Sequence, residues 1–266
     1  VKTAAIFDSD AEAMGADFTP AYLGTKRSDT DGAFSIDSTL TKVFLDGRAP
    51  ARDGQLRAYL EWDLNKANDG NLDIKMRHAY GSWKNSHGTL LAGHTWSTMM
   101  DLKILPEGLT EPTVSGAIFV RQPQIRWSQP LKESFTLHAA IEDPSSSDIF
   151  DSTATPELGN TRLPDGVLGV EYEEKGVGHL RLNGVLRDLE VDLPTGTDSE
   201  VAWGLALTGH LEFLERDRLR GGFLYGQGLG RYLLGIQSTA GSVIDPARQE
   251  LALRDNWGGF AAYQHH

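Results

Sequence analysis

A period of two runs through this chain, and it constrains the fold more than any other feature. In about a dozen segments of roughly 8–12 residues each, apolar side chains alternate with polar or small ones, as in strands whose two faces meet different surroundings. The segments stand near residues 1–8, 33–46, 55–65, 72–84, 88–97, 119–129, 133–143, 166–173, 177–189, 200–213, 217–227 and 251–264. Typical apolar rows are Leu56, Ala58, Leu60, Trp62 and Leu64; Phe135, Leu137, Ala139 and Ile141; Leu168, Val170 and Tyr172; Trp203, Leu205, Leu207 and Leu211. The rows facing the other way hold Arg57, Tyr59, Glu61 and Asp63; Thr136 and His138; Gly169 and Glu171; Arg181, Asn183 and Arg187. Read without interruption, the stretch LDIKMRHAYGSW (72–83) puts His78 and Tyr80 on the same face as Ile74 and Met76. In a soluble β-protein such apolar rows face a core. In a transmembrane barrel they face lipid, and the charged rows line a lumen.

The connections favour the barrel. DGRAPARDG (46–54), KNSHG (84–88), SQPLKE (128–133), EEKGVG (173–178) and LERDR (214–218) are short, whereas 9–32, 98–118, 144–165, 190–199 and 228–250 are long or longish. Short turns on one rim and long loops on the other are the layout of an outer-membrane barrel. Closure also removes the unpaired edges that lipid does not tolerate. Aromatic residues near segment ends, among them Trp62, Trp83, Trp96, Trp127, Trp203, Tyr172 and Tyr263, suit interfacial girdles. An apolar fraction of 39% with 29 glycines fits a barrel with a wet interior better than a large dry core.

Several function classes drop out. A formal charge of −12 leaves no overall basic footprint for nucleic acid. With no cysteine there is no disulfide framework, thiolate nucleophile or Cys-ligated metal site. No nucleophile-elbow pattern appears, and YGQGLGRY (225–232) lacks the strand-to-helix setting of a dinucleotide loop. We therefore expect no enzyme, no catalytic residue, no metal site and no cofactor. Acid crowds the long loops, for example Glu142, Asp143, Asp148, Asp151, Glu157 and Asp165. It keeps those loops solvated or bridges them through divalent cations to lipopolysaccharide.

The middle of the chain, RHAYGSW (77–83), LLAGHTWSTMMDLKILPE (90–107) and FVRQPQIRW (119–127), resembles the DcaP-like porins of Gram-negative outer membranes. The resemblance implies an all-β, transmembrane antiparallel up-and-down barrel of porin type, of sixteen strands with about twelve visible here. It also implies a homotrimer in the outer membrane, in contact with its lipid and lipopolysaccharide, passing small anionic solutes such as dicarboxylates. The chain departs from the family in having no heptad segment at the front and in stopping at AYQHH. Residues 1–266 are expected to form a single barrel domain, incomplete at both ends.

For transport, the polar rows offer Arg57, Lys75, Arg77, Arg126, Arg181, Arg187 and Arg220 as pore-lining cations. Guanidinium forks pair with carboxylates, and a row of them gives an anion successive weak stations. Each of these cations has an equally simple role, pairing with Glu61, Asp63, Asp73 or Glu171 to satisfy the wall. Residues 98–118 resemble the infolded constriction loop of general porins, in which case Asp101, Glu107 and Glu111 would face the basic wall across the narrowest point; the alternative is an ordinary external loop. The rival fold is a soluble β-barrel or β-sandwich that turns its apolar rows inward and binds an apolar or carbohydrate ligand.

Overall fold

The computed structural model describes residues 4–8, 33–37, 41–66, 72–106, 114, 116–144, 149–150, 162–213, 217–234, 241–245 and 250–265. Strands β1 (Ala4–Asp8) and β2 (Ala33–Asp37) pair with each other. There follow β3 (Lys42–Ala51), β4 (Gly54–Lys66), β5 (Leu72–Asn85), β6 (Thr89–Trp96), β7 (Arg121–Lys132), β8 (Phe135–Glu142) and the short β9 (Ile149–Phe150). The rest are β10 (Asp165–Glu174), β11 (Gly178–Leu193), β12 (Gly196–Phe213), β13 (Asp217–Gln227), β14 (Ser242–Asp245), β15 (Glu250–Leu253) and β16 (Asp255–His265). Eleven of them make one antiparallel sheet, each hydrogen-bonded to the next along the chain from β3 to β8, then β10 to β13 and finally β16. The small sheet β15-β14-β9 is separate.

The outer face of the large sheet is greasy and open. Ile74 is 72% exposed, Leu168 64% and Leu186 62%, and Leu60, Ile125, Ile141, Leu182, Leu205 and Phe223 are exposed beside them. A soluble sandwich would bury these rows, so the rival arrangement is excluded by orientation. From Val201 to Phe213 the outward row of β12 runs about 40 Å at the usual strand rise, which the tilt of barrel strands reduces to about 30 Å, enough to cross a bilayer core. Aromatic pairs close the band at two levels. Trp203 meets Tyr225, and Phe223 meets Trp257, toward the long-loop rim; Phe135 meets Tyr172, and Phe213 meets Tyr263, at the tight-turn rim. Trp96 does not join the girdles. Its ring stands 5.7 Å from that of His78 and lies 3.4 Å beneath the Arg121 guanidinium.

A bulge in β5 corrects one reading. Glu61 pairs with His78, but the next residue, Trp62, pairs with Met76, so Arg77 is extra and the face switches there. Ile74 and Met76 stay outside, while His78 and Tyr80 turn inward, where His78 Nδ1 lies 2.9 Å from Thr95 Oγ1. A second correction falls at 190–199. β11 and β12 continue through it as a hairpin that closes at Leu193 and Gly196. The extension buries Leu189, Val191 and Ala202 against Ile149 and Leu251, giving a second small apolar cluster toward the long-loop end of β11 and β12.

Gly93 in β6 marks a tight contact between strands. Its φ is +129°, and a Cβ there would run into Ala79 O and come within 2.7 Å of Tyr80 Cα. Gly93→Ala should therefore destabilise the β5–β6 pair by about 1–2 kcal/mol, measured as a lower denaturation midpoint in detergent; an unchanged midpoint would mean the strands separate there without cost.

Candidate pore and inner loop

Much of the inner face is dry. Segment 97–106, which leaves β6, runs down the inner wall toward the tight-turn rim. Arg181 donates to Thr98 O (2.7 Å), Asn183 to Met99 O (3.2 Å) and Arg220 to Leu105 O (2.7 Å). Its start is held by Glu142, which accepts from Ser97 Oγ and the Thr98 N–H, both at 2.6 Å. Segment 228–234 lies beside it, bridging to 116–118 through Ile118 and Leu233. Together they bury Met99, Met100, Leu229, Tyr232 and Leu233 against Val167, Val185, Ala206 and Leu224. Glu142 and Asp165, read from the sequence as members of a solvated acidic loop, are buried ends of strands that fasten these segments.

The space that remains is a polar cavity of about 450 Å³ between the inner loop and the inner faces of β4 to β8. Arg57, Tyr59 and Tyr80 stand on one side of it; Arg126, Ser128 and His138 on another; Glu171 and Arg181 on a third; and Asp101 and Lys103 on the loop. Arg57 is neutralised by Asp46 (2.8 Å), donates to Tyr80 Oη (3.0 Å) and lies 4.7 Å above the Tyr59 ring. Arg181 spends its donors on Thr98 O and Asn183 Oδ1. Arg126 is different: half-buried, it lines the cavity and makes no hydrogen bond or ion pair among the described residues.

The other predicted cations are placed otherwise. Arg77 is clamped to the buried Asp63 at 2.5 Å. Lys75 is exposed, opposite Asp63 in register. Arg187, expected to line the bore, is instead fully buried: Nε donates to Asp165 (3.0 Å) and Nη1 to Gly228 O (2.6 Å) beneath Tyr232. Arg220 is likewise buried under the inner loop rather than open to the cavity. Both are covered because loop segments lie over the part of the wall where they stand. Glu107 and Glu111 lie outside the described residues.

Asp101 caps the short 3₁₀ turn Leu102–Ile104, accepting from the Lys103 N–H (3.0 Å). Burial pushes its carboxyl up, but hydrogen bonds from His179 and Thr208, with Arg181 nearby, hold it below the usual carboxylate range. Burial works against the Lys103 ammonium, yet its bonds to Glu171 and Glu173 hold its pKa above that of an ordinary lysine. The sequence reading set Tyr59 on the polar row but missed Lys103 and Tyr80 as cavity residues. Lys103 carried a signal, a lone cation in the segment likened to a constriction loop.

No family model matches this chain, and no curated protein matches it. Solved structures do. The outer membrane channel DcaP of Acinetobacter baumannii aligns with a TM-score of 0.67 at 22% identity, over 78% of this chain and 57% of that one. The trimer form of in-vitro folded OmpT from Vibrio cholerae (TM-score 0.37, 13% identity, 90% and 94% covered) aligns far more loosely. So does the anion-selective porin from Comamonas acidovorans (0.35, 13%, 88% and 92%). With its consecutive antiparallel strands, outward apolar rows and a loop laid along the inner wall, the chain has the fold of the DcaP outer-membrane channel over 57% of that channel's length.

Proposed function

We propose that this chain forms the wall and inner loop of an outer-membrane porin that passes small anionic solutes, dicarboxylates in particular, by passive diffusion. The observation that carries this reading is Arg126, a guanidinium that lines the polar cavity and makes no hydrogen bond or ion pair of its own among the described residues. A cation in a confined polar space attracts a mobile anion strongly enough to enter, and with a single fork unengaged, weakly enough to leave. Arg181, bonded mainly to neutral acceptors, lines the same space, so a solute with two carboxylates has a second cation near Arg126. In this reading the greasy band is the surface that meets outer-membrane lipid, and the resemblance of residues 77–127 to DcaP-like porins supports a homotrimer.

Single-channel recording of the full-length protein tests this. A phthalate-like dicarboxylate should interrupt the chloride current in brief, concentration-dependent events, and benzoate at equal concentration should do so less. Preference for potassium over chloride would overturn the reading, and so would dicarboxylate without effect.

A further inference from the structure

At the tight-turn end of the β10–β11 hairpin, Glu171, Glu173 and His179 offer ligand atoms that all lie within 4.8 Å of one another. His179 sits directly opposite Glu173 in the hairpin register. Its side chain has no solvent exposure, and its Nε2 is 2.7 Å from Asp101 Oδ2, which also accepts from Thr208 Oγ1 at 2.7 Å. A neutral ring with its N–H on that carboxylate has its lone pair on Nδ1, the form in which a histidine ligates a metal. This Nδ1 is buried without a hydrogen-bond partner, 3.9 Å from Glu171 Oε1. A lone pair directed at two carboxylates is repulsive unless a cation stands between them.

From this arrangement we infer a binding site for a divalent transition-metal ion, with His179 Nδ1, Glu171 and Glu173 as ligands and Asp101 as the carboxylate that orients the imidazole. One nitrogen and two carboxylate oxygens suit Zn²⁺, whereas Ca²⁺ and Mg²⁺ call for oxygen alone. The carboxylate behind a ligating histidine is the usual support of such a ligand. Donor atoms around a tetrahedral Zn²⁺ stand about 3.4 Å apart, so a set whose atoms lie within 4.8 Å closes with a contraction of at most about 1.4 Å. Glu173, 54% exposed at the rim, is the member free to supply it and opens the route from water. The Lys103 ammonium now neutralises this cluster, 2.6 Å from Glu171 Oε1 and 2.6 Å from Glu173 Oε2. Metal and lysine therefore compete for the same two oxygens, and metal binding releases the cation that ties the inner loop to this corner of the wall.

The test is Zn²⁺ titration calorimetry on the full-length protein in detergent, with Co²⁺ absorption as a second readout. Lys103→Met should bind Zn²⁺ at least about tenfold more tightly than the parent, and Glu173→Gln added to it should weaken binding by about tenfold or more. The visible bands of bound Co²⁺ should disappear with the same change. Both positions are partly exposed, and unchanged heat-modifiable gel mobility verifies that each variant folds. Zn²⁺ affinity that Lys103→Met leaves unaltered, or that Glu173→Gln leaves unaltered, would overturn the site and reduce the cluster to a salt-bridge clamp.

Discussion

On the proposed reading, Arg126→Glu should turn the bore from anion-preferring to cation-preferring. The residue lines the 450 Å³ cavity and, among the described residues, is not held in an ion pair or hydrogen bond. Two unit charges about 5 Å apart interact by about 3 kcal/mol at an effective dielectric near 20. Salt in the bore screens roughly half of that. The permeability of chloride relative to potassium should then fall by about tenfold for the neutral Arg126→Gln and further for Arg126→Glu. Reversal potentials across a salt gradient in planar bilayers measure both. Arg57→Gln provides the contrast: that guanidinium is already neutralised by Asp46, so removing it should move the reversal potential less. Unchanged reversal potentials in both Arg126 variants would remove this residue from the conduction path.

The contrast between Arg126 and Arg187 measures how much of the site the sequence could reveal. Both occupy polar rows of alternating strands, and nothing in their neighbourhoods separates them. What separates them is distant in sequence: Gly228 and Tyr232, from the connection after β13, cover Arg187, while Arg126 lines the polar cavity. The outward rows were legible because a strand's period of two assigns a face from neighbours alone. That rule failed where one residue was added. The bulge at Arg77 moves His78 and Tyr80 into the cavity, and no local composition marks it. The hairpin at 193–196 is hidden because LPTG has the composition of a loop, although a turn of that kind also suits two long strands.

Arg187→Met should be the most damaging single change in the described wall. The guanidinium is fully buried and is held by Asp165 and by Gly228 O. Asp165 is buried too and also accepts from Tyr232 Oη at 2.9 Å, with Arg231 at 3.5 Å. Methionine fills a similar length but leaves a carboxylate with half its counter-charge and a carbonyl without its donor. Removing one partner of a buried pair costs about 3–5 kcal/mol, and unfolding in denaturant, followed by tryptophan fluorescence in detergent, should register a loss of that order. Arg187→Met with Asp165→Asn should lose less than the single change, because the orphaned charge goes with its partner. The cost is local in origin and wide in effect: Arg187 and Asp165 on neighbouring strands fix Gly228 and Tyr232, and these carry the segment that packs against Met99, Met100 and Ile118. A loss below about 1 kcal/mol would mean that Arg231 alone satisfies Asp165 and that the covering segment is held by its apolar contacts.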